Sequence, residues 1–177
     1  MQMHISDLPA AAAAAAEDLV REGAVHRAVY TDPALFALEQ ERIFGRAWLY
    51  VGHESEVRAP GDWILTRLGA DEVILARTEE GRLVVLHNQC AHRGACVVSG
   101  ERGHARHFRC PYHAWTYRLD GRLVGVPMAS GYPADFCSRA DLGLVRVARV
   151  ASYRGFVFAS RAAAAGPDLP EFLGELA

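Results

Sequence analysis

From Trp48 onward the chain alternates short apolar runs with turn residues. Trp48–Val51, Trp63–Leu68, Val73–Arg77 and Leu83–His87 are rich in β-branched and aromatic side chains, and each reads as a strand. Pro60-Gly61-Asp62, Gly69-Ala70-Asp71 and Glu80-Gly81-Arg82 separate them. Further runs fall at His107–Arg109, Thr116–Leu119, Leu123–Val126, Leu144–Val147 and Phe156–Ala159. Asp120-Gly121, between two of these, is a hairpin signal. Many short strands with Gly-rich turns predict a mainly β domain, an antiparallel sandwich or a small barrel. No repeat of 20–50 residues is visible.

Before Trp48 the pattern is helical. Pro9 to Glu22 is Ala-rich and helix-prone, though apolar all round in its first half. Thr31-Asp32-Pro33 is a helix start, with a capping side chain and then Pro in the first turn. Leu35, Leu38, Arg42 and Ile43 follow with helical spacing, and Gly45 is a stop. After Arg161 an Ala/Gly/Pro stretch leads to Leu169-Pro170-Glu171-Phe172-Leu173, the start of another helix. The chain therefore divides into an N-terminal helical arm (1–45), a β domain (46–160) and a linker with a helix start (161–177).

Composition narrows the class. With 177 residues, 51% apolar and 23% charged, the chain suits one globular domain with an arm and excludes a disordered or collagen-like chain. A net charge of −2 predicts no pull toward nucleic acid or an anionic membrane. All 19 basic residues are Arg, which excludes a Schiff-base or P-loop lysine. No apolar run approaches the ~20 residues that span a bilayer. The N-terminal Ala tract has no Arg before it and runs into Glu17 and Asp18, so no secretory signal is read and a cytoplasmic location is expected. In that compartment four Cys favour metal or reactive-thiol chemistry over disulfides.

The chemistry concentrates in Cys90-Ala91-His92 and, seventeen residues later, Cys110-Pro111-Tyr112-His113. Two Cys/His pairs at the tips of successive strands can face one centre. Two thiolates and two imidazoles suit zinc or an iron–sulfur centre. A zinc finger more often pairs C-x2-C with H-x3-5-H, whereas here each loop supplies one Cys and one His. That arrangement suits a two-iron cluster with one iron on both Cys and the other on both His. Replacing two thiolates by neutral imidazoles makes such a centre less negative and raises its potential. A zinc-stabilised module remains the other reading of the same four residues. His104 and His107 are read as solvated loop residues and His53 and His87 as core or hydrogen-bonding ones. Cys96 and Cys137 are read as small apolar residues, and Trp48, Trp63 and Trp115 as packing residues.

Cys90-Ala-His-Arg-Gly94, Phe108-Arg-Cys-Pro-Tyr-His113-Ala-Trp-Thr-Tyr117, Leu119-Asp-Gly-Arg-Leu123 and Val126-Pro127 resemble the Rieske domain of the α subunit of aromatic-ring-hydroxylating dioxygenases. Tyr30-Thr-Asp-Pro33, Glu41-Arg-Ile-Phe-Gly-Arg-Ala-Trp48 and Gly52-His-Glu-Ser-Glu-Val57 resemble that family's N-terminal arm, so the likeness spans roughly residues 26–160. The resemblance implies a Rieske-type antiparallel β-sandwich with a small cluster-binding subdomain. It implies a [2Fe-2S] cluster with Cys90 and Cys110 on one iron and His92 and His113 on the other. Ala114 departs from the family, which usually has Gly after the second His. Cys96 lacks the second-loop cysteine that high-potential Rieske proteins pair with it, since Tyr112 stands there. Trp115 replaces their hydroxyl near the cluster, which points to the lower part of the roughly −150 to +300 mV Rieske range.

The same resemblance implies a ferredoxin or flavin reductase as electron donor, neighbouring α subunits, a small β subunit as a further candidate, and a catalytic domain with a mononuclear Fe(II). All eight His lie at or before His113, and the 64 residues after it hold none. The two-His, one-carboxylate iron site is therefore expected outside this sequence, with 161–177 leading toward the missing domain. No G-x-G-x-x-G fingerprint is present, so no direct NADH binding is expected. The competing reading is a stand-alone Rieske ferredoxin, against which the Tyr30–Gly52 arm argues.

Overall fold

The Asp32 carboxylate takes two of the amides a helix start leaves without partners. Its Oδ1 accepts from Ala34 N at 2.8 Å and from Leu35 N at 3.4 Å. Pro33 follows in the first turn, and the helix runs Pro33–Arg42. The computed structural model describes residues 19–162 and 166–176, which fall into two units, Met1–Ala47 and Trp48–Ala177. In the first, a short hairpin of β1 (Val20–Arg21) and β2 (Ala24–Val25) and a helical turn, α1 (Ala28–Thr31), precede this helix, α2. The helix expected over Pro9–Glu22 lies outside the described residues up to residue 18. Its last residues are turn and strand instead, because Gly23 at φ 73° reverses the chain.

In the second unit, β3 (Leu49–His53) is followed by β4 (Asp62–Leu68), β5 (Asp71–Arg77), β6 (Leu83–His87) and β7 (Arg102–His104). Then come β8 (His107–Arg109), β9 (Thr116–Arg118), β10 (Leu123–Gly125), β11 (Arg149–Tyr153), β12 (Phe156–Ser160) and the helix α3 (Leu169–Leu173). The strands form three antiparallel sheets, ordered β6-β5-β4-β7, β11-β12-β3 and β10-β9-β8.

The first sheet is central, and its side chains alternate between two cores. Trp63, Ile74, Ala76, Val84 and Leu86 pack with Phe108, Tyr117 and Leu123 of the third sheet. Ile64, Val73, Leu75 and Val85 pack with Val51, Val157 and Ala159 of the second. A strand has period two, so a strand buried on both faces reads as a continuous apolar run. Val73-Ile74-Leu75-Ala76 and Val84-Val85-Leu86 are such runs, each residue at most 3% exposed. Each fully buried Val, Leu or Ile contributes about 1.5–3 kcal/mol relative to exposure. The mainly β, antiparallel architecture is as expected, and β10-β9-β8 forms a small sheet of its own. Trp48, Trp63 and Trp115 are buried packing residues.

Leu144–Val147 is not a strand. Leu144 belongs to one core and Val147 to the other, so the segment crosses the edge of β6 with a single bridge, Leu86 to Arg146. Strands β7 and β11 go unsignalled in the sequence. β7 holds Gly103 against the Trp63 ring, where a Cβ would come within 2.6 Å of the ring. β11 carries Arg149, whose guanidinium lies 4.6 Å from the Trp48 ring centroid.

Candidate functional site

Two loops present the Cys/His pairs. The first follows β6 and carries Cys90 and His92. The second joins β8 to β9 and carries Cys110 and His113. Phe108 faces the core on β8, so Cys110, two residues on, faces the same way. Both Cys are 2% exposed, and all four cysteines are free thiols.

The loops close with one hydrogen-bond pattern used twice. Cys90 N donates to Ala95 O at 2.8 Å, and Gly94 N donates to Cys90 O at 2.8 Å. Cys110 N donates to Trp115 O at 2.8 Å, and Ala114 N donates to Cys110 O at 2.9 Å. Each turn needs its fourth residue after Cys in the left-handed region. Gly94 stands there at φ 73°, and Ala114 at φ 55°. Ala114 therefore bears the cost of a Cβ in that conformation, which is the physical content of its departure from Gly.

The tips of the loops meet. The His92 and His113 rings lie 4.8 Å apart. Trp115 stacks on His92 at 4.9 Å with planes 8° apart, and Tyr112 stacks on His113 at 3.9 Å. Desolvation first, then the positive charges of His113 and Arg93, hold the His92 pKa below the usual imidazole value. A neutral imidazole keeps the lone pair that a metal requires. His113 Nδ1 is buried without a hydrogen-bond partner among the described residues. A buried polar atom without a partner costs about 1–3 kcal/mol, and a bound metal ion would remove that cost. The orphaned nitrogen and the two buried thiols thus fit a metal cluster. Among the described residues no three His, Cys, Asp or Glu side chains gather as they would on a single ion.

Two supporting residues are not foreseen from the sequence. Tyr117 Oη lies 3.0 Å from Cys90 Sγ and accepts from Ala91 N at 3.2 Å. Burial and the Cys90 thiol raise the phenol pKa far above its ordinary value, so Tyr117 keeps its proton. Either group of the pair can donate while Cys90 is a thiol, whereas toward a Cys90 thiolate, which has no proton, only the phenol can. The signal for it is alternation: Trp115 and Tyr117 face inward on either side of Thr116, and a buried Tyr hydroxyl needs a partner. Asn88, 4% exposed, clasps the first loop. Its Oδ1 accepts from Val97 N at 2.9 Å and Val98 N at 3.0 Å, and its Nδ2 donates to Glu72 Oε1 at 2.6 Å and Val98 O at 3.0 Å.

The remaining residues lie apart from these four. His104 is exposed and bonds Asp62 at 2.9 Å. His53 caps the turn Glu54–Glu56, and His87 lies 4.0 Å from Asp71. Cys137 packs half-buried against the core. Cys96 is a correction: it is exposed, with its thiol 3.9 Å from Glu72, because the Asn88 clasp turns Val97 rather than Cys96 into the core.

The sequence matches the Rieske [2Fe-2S] domain family over residues 47–153. It is 41% identical over 156 residues to the N,N-dimethyl phenylurea N-demethylase subunit alpha of Sphingobium sp. (strain YBL2), covering 88% of this chain and 34% of that protein. It is 40% identical over 156 residues to the chlorobenzene dioxygenase subunit alpha of Cupriavidus sp. (strain PS12), with the same coverage, 88% and 34%. Among solved structures, naphthalene 1,2-dioxygenase from Rhodococcus sp. bound to indole superposes with a TM-score of 0.82 at 38% identity, covering 90% of this chain and 36% of that one. The chain spans about a third of the length of the curated relatives it matches.

Proposed function

Because this chain belongs to the Rieske [2Fe-2S] domain family, we propose that it is the electron-relay part of the α subunit of an aromatic-ring-hydroxylating oxygenase. Cys90 and Cys110 would hold one iron, and His92 and His113 the other. The bound cluster supplies a centre that takes up and gives out single electrons. The observation that carries this reading is the paired loop geometry, in which each turn buries a thiol and the two imidazoles meet at the tip.

The chain's own residues divide the work. The core packing around Cys90 and Cys110 excludes water from the thiolate side. Tyr117, 3.0 Å from Cys90 Sγ, would donate its proton to a Cys90 thiolate. His92, exposed at the tip, would be the ligand most open to a partner. In this reading a ferredoxin or flavin reductase supplies electrons. They are used at a mononuclear iron in a catalytic domain, with neighbouring α subunits and a small β subunit in the assembly, and the oxygenase adds O2 to an aromatic ring. Both relatives are named as α subunits, one of a chlorobenzene dioxygenase and one of an N-demethylase, which supports an oxygenase subunit over a free carrier. A cytoplasmic placement is part of the same proposal; among the described residues no helix is long and apolar enough to cross a membrane.

Iron and acid-labile sulfide analysis, with electron spin resonance of the dithionite-reduced protein, tests the reading. The expected result is equal iron and sulfide and a spectrum with histidine nitrogen couplings. Zinc alone, or the spectrum of an all-cysteine cluster, would overturn it.

A further inference from the structure

Beyond the second loop the chain forms a run of short turns, Ala129–Gly131, Phe136–Ser138 and Ala140–Leu142. No ligand, strand pairing or loop closure described above uses it. It nevertheless delivers two aromatic rings toward the candidate centre. Phe136 meets Trp115 edge-on, with centroids 5.8 Å apart and planes at 85°. Tyr132 lies over Phe136 at 4.4 Å. Trp115 is in turn the ring stacked on His92. One file of rings therefore runs from the surface, where Tyr132 is 40% exposed, through a Trp that is 5% exposed, to an imidazole at the tip.

The two imidazoles are held differently. His113 is packed by its neighbour Tyr112, and its Nδ1 is buried. His92 is exposed, and no hydrogen bond to its side chain is present among the described residues. Among the described residues Trp115 is the one ring stacked on it, and Phe136 stands edge-on behind that indole, where it would oppose tilting. We propose that Phe136, backed by Tyr132, is a positioning residue that acts through Trp115 to fix the plane of the His92 imidazole. This rests on the reading of His92 as a cluster ligand.

The test uses the full chain with its cluster in place, reduced, and reads the two imidazole nitrogen hyperfine couplings by pulsed electron-nuclear resonance. Wild type should give two sharp couplings. In Phe136→Ala one coupling should lose its single value and spread while the other is unchanged, and Phe136→Tyr should restore it. Iron content and far-ultraviolet circular dichroism confirm that the variant is loaded and folded. If Phe136→Ala does not fold, Phe136→Leu keeps the bulk without the ring edge and should spread the same coupling. Two sharp couplings in a loaded Phe136→Ala or Phe136→Leu protein, or equal change in both, would overturn the proposal alone. Absence of two imidazole couplings in wild type would instead overturn the ligand reading.

Discussion

Tyr117 changes what the centre should do. Trp115 occupies the position from which a hydroxyl is expected, and on that basis alone the potential is read as low. The structure supplies a hydroxyl from two residues further on, 3.0 Å from Cys90 Sγ. A donor to a thiolate stabilises the reduced, more negative state over the oxidised one. Tyr117→Phe removes it while keeping the ring in the core. A hydrogen bond of about 1 kcal/mol corresponds to a drop on the order of 40 mV for a one-electron couple. A redox titration of the variant checks this, and an unchanged or higher potential would refute the donor role. Ala114 gives a second single-residue prediction. At φ 55° a Cβ costs roughly 1–2 kcal/mol, while Gly adds about 0.4–1 kcal/mol of unfolded-state entropy. Ala114→Gly should therefore stabilise the protein by about 0.5–1 kcal/mol in denaturant unfolding. Gly94→Ala should destabilise it, since it also brings a Cβ to 3.2 Å from the Gln89 amide.

At the scale of elements, what is local in sequence is legible and what is assembled is not. The start of α2 is readable because its cap lies within three residues of its partners. The two loops are readable because each Cys and His sits within four positions. Tyr117 is hard to read as a partner of Cys90, 27 residues away, because nothing in the chain between them announces the contact. β7 and β11 are hard to read because their places come from neighbours: β7 from the edge of β4, and β11 from β12. Leu144–Val147 shows the reverse error, an apolar run whose residues serve two cores and so cannot hold one register. Asn88 joins these levels, since one side chain ties both ends of the first loop to each other and to β5. Asn88→Ala strips the partners from the Val97 and Val98 amides. The Val97 amide is buried and the Val98 amide half-buried, so at about 1–3 kcal/mol for a buried donor left unsatisfied the loss should be at least 1 kcal/mol. Amide hydrogen exchange should show deprotection confined at first to residues 88–98. Unchanged exchange there would mean the loop holds itself.

Over the whole molecule, net charge and local charge point in opposite directions. The chain carries −2 overall. Residues 81–119, which include both loops, hold six Arg against one Glu, a net +5, while the remainder holds 13 Arg against 20 acidic residues, a net −7. Within that stretch Arg93, Arg102, Arg106 and Arg109 are exposed and form no ion pair among the described residues. Arg93 follows His92 and Arg109 precedes Cys110, so two of the four sit beside the candidate ligands. The Debye length is about 10 Å at 0.1 M salt, so a reagent reaching the tip responds to these charges rather than to distant carboxylates. An anionic oxidant, hexacyanoferrate(III), should therefore oxidise the reduced protein fastest at low salt and slow on the order of tenfold as salt is raised. A cationic cobalt complex should show the opposite slope. If net charge governed the encounter, the anion would be the one that speeds up with salt. Arg93→Glu combined with Arg109→Glu should flatten or invert both slopes without changing cluster content, which stopped-flow traces at several ionic strengths would read directly. An acidic electron donor would meet the same field, so the distribution of charge, and not its total, decides which partners approach this end of the fold.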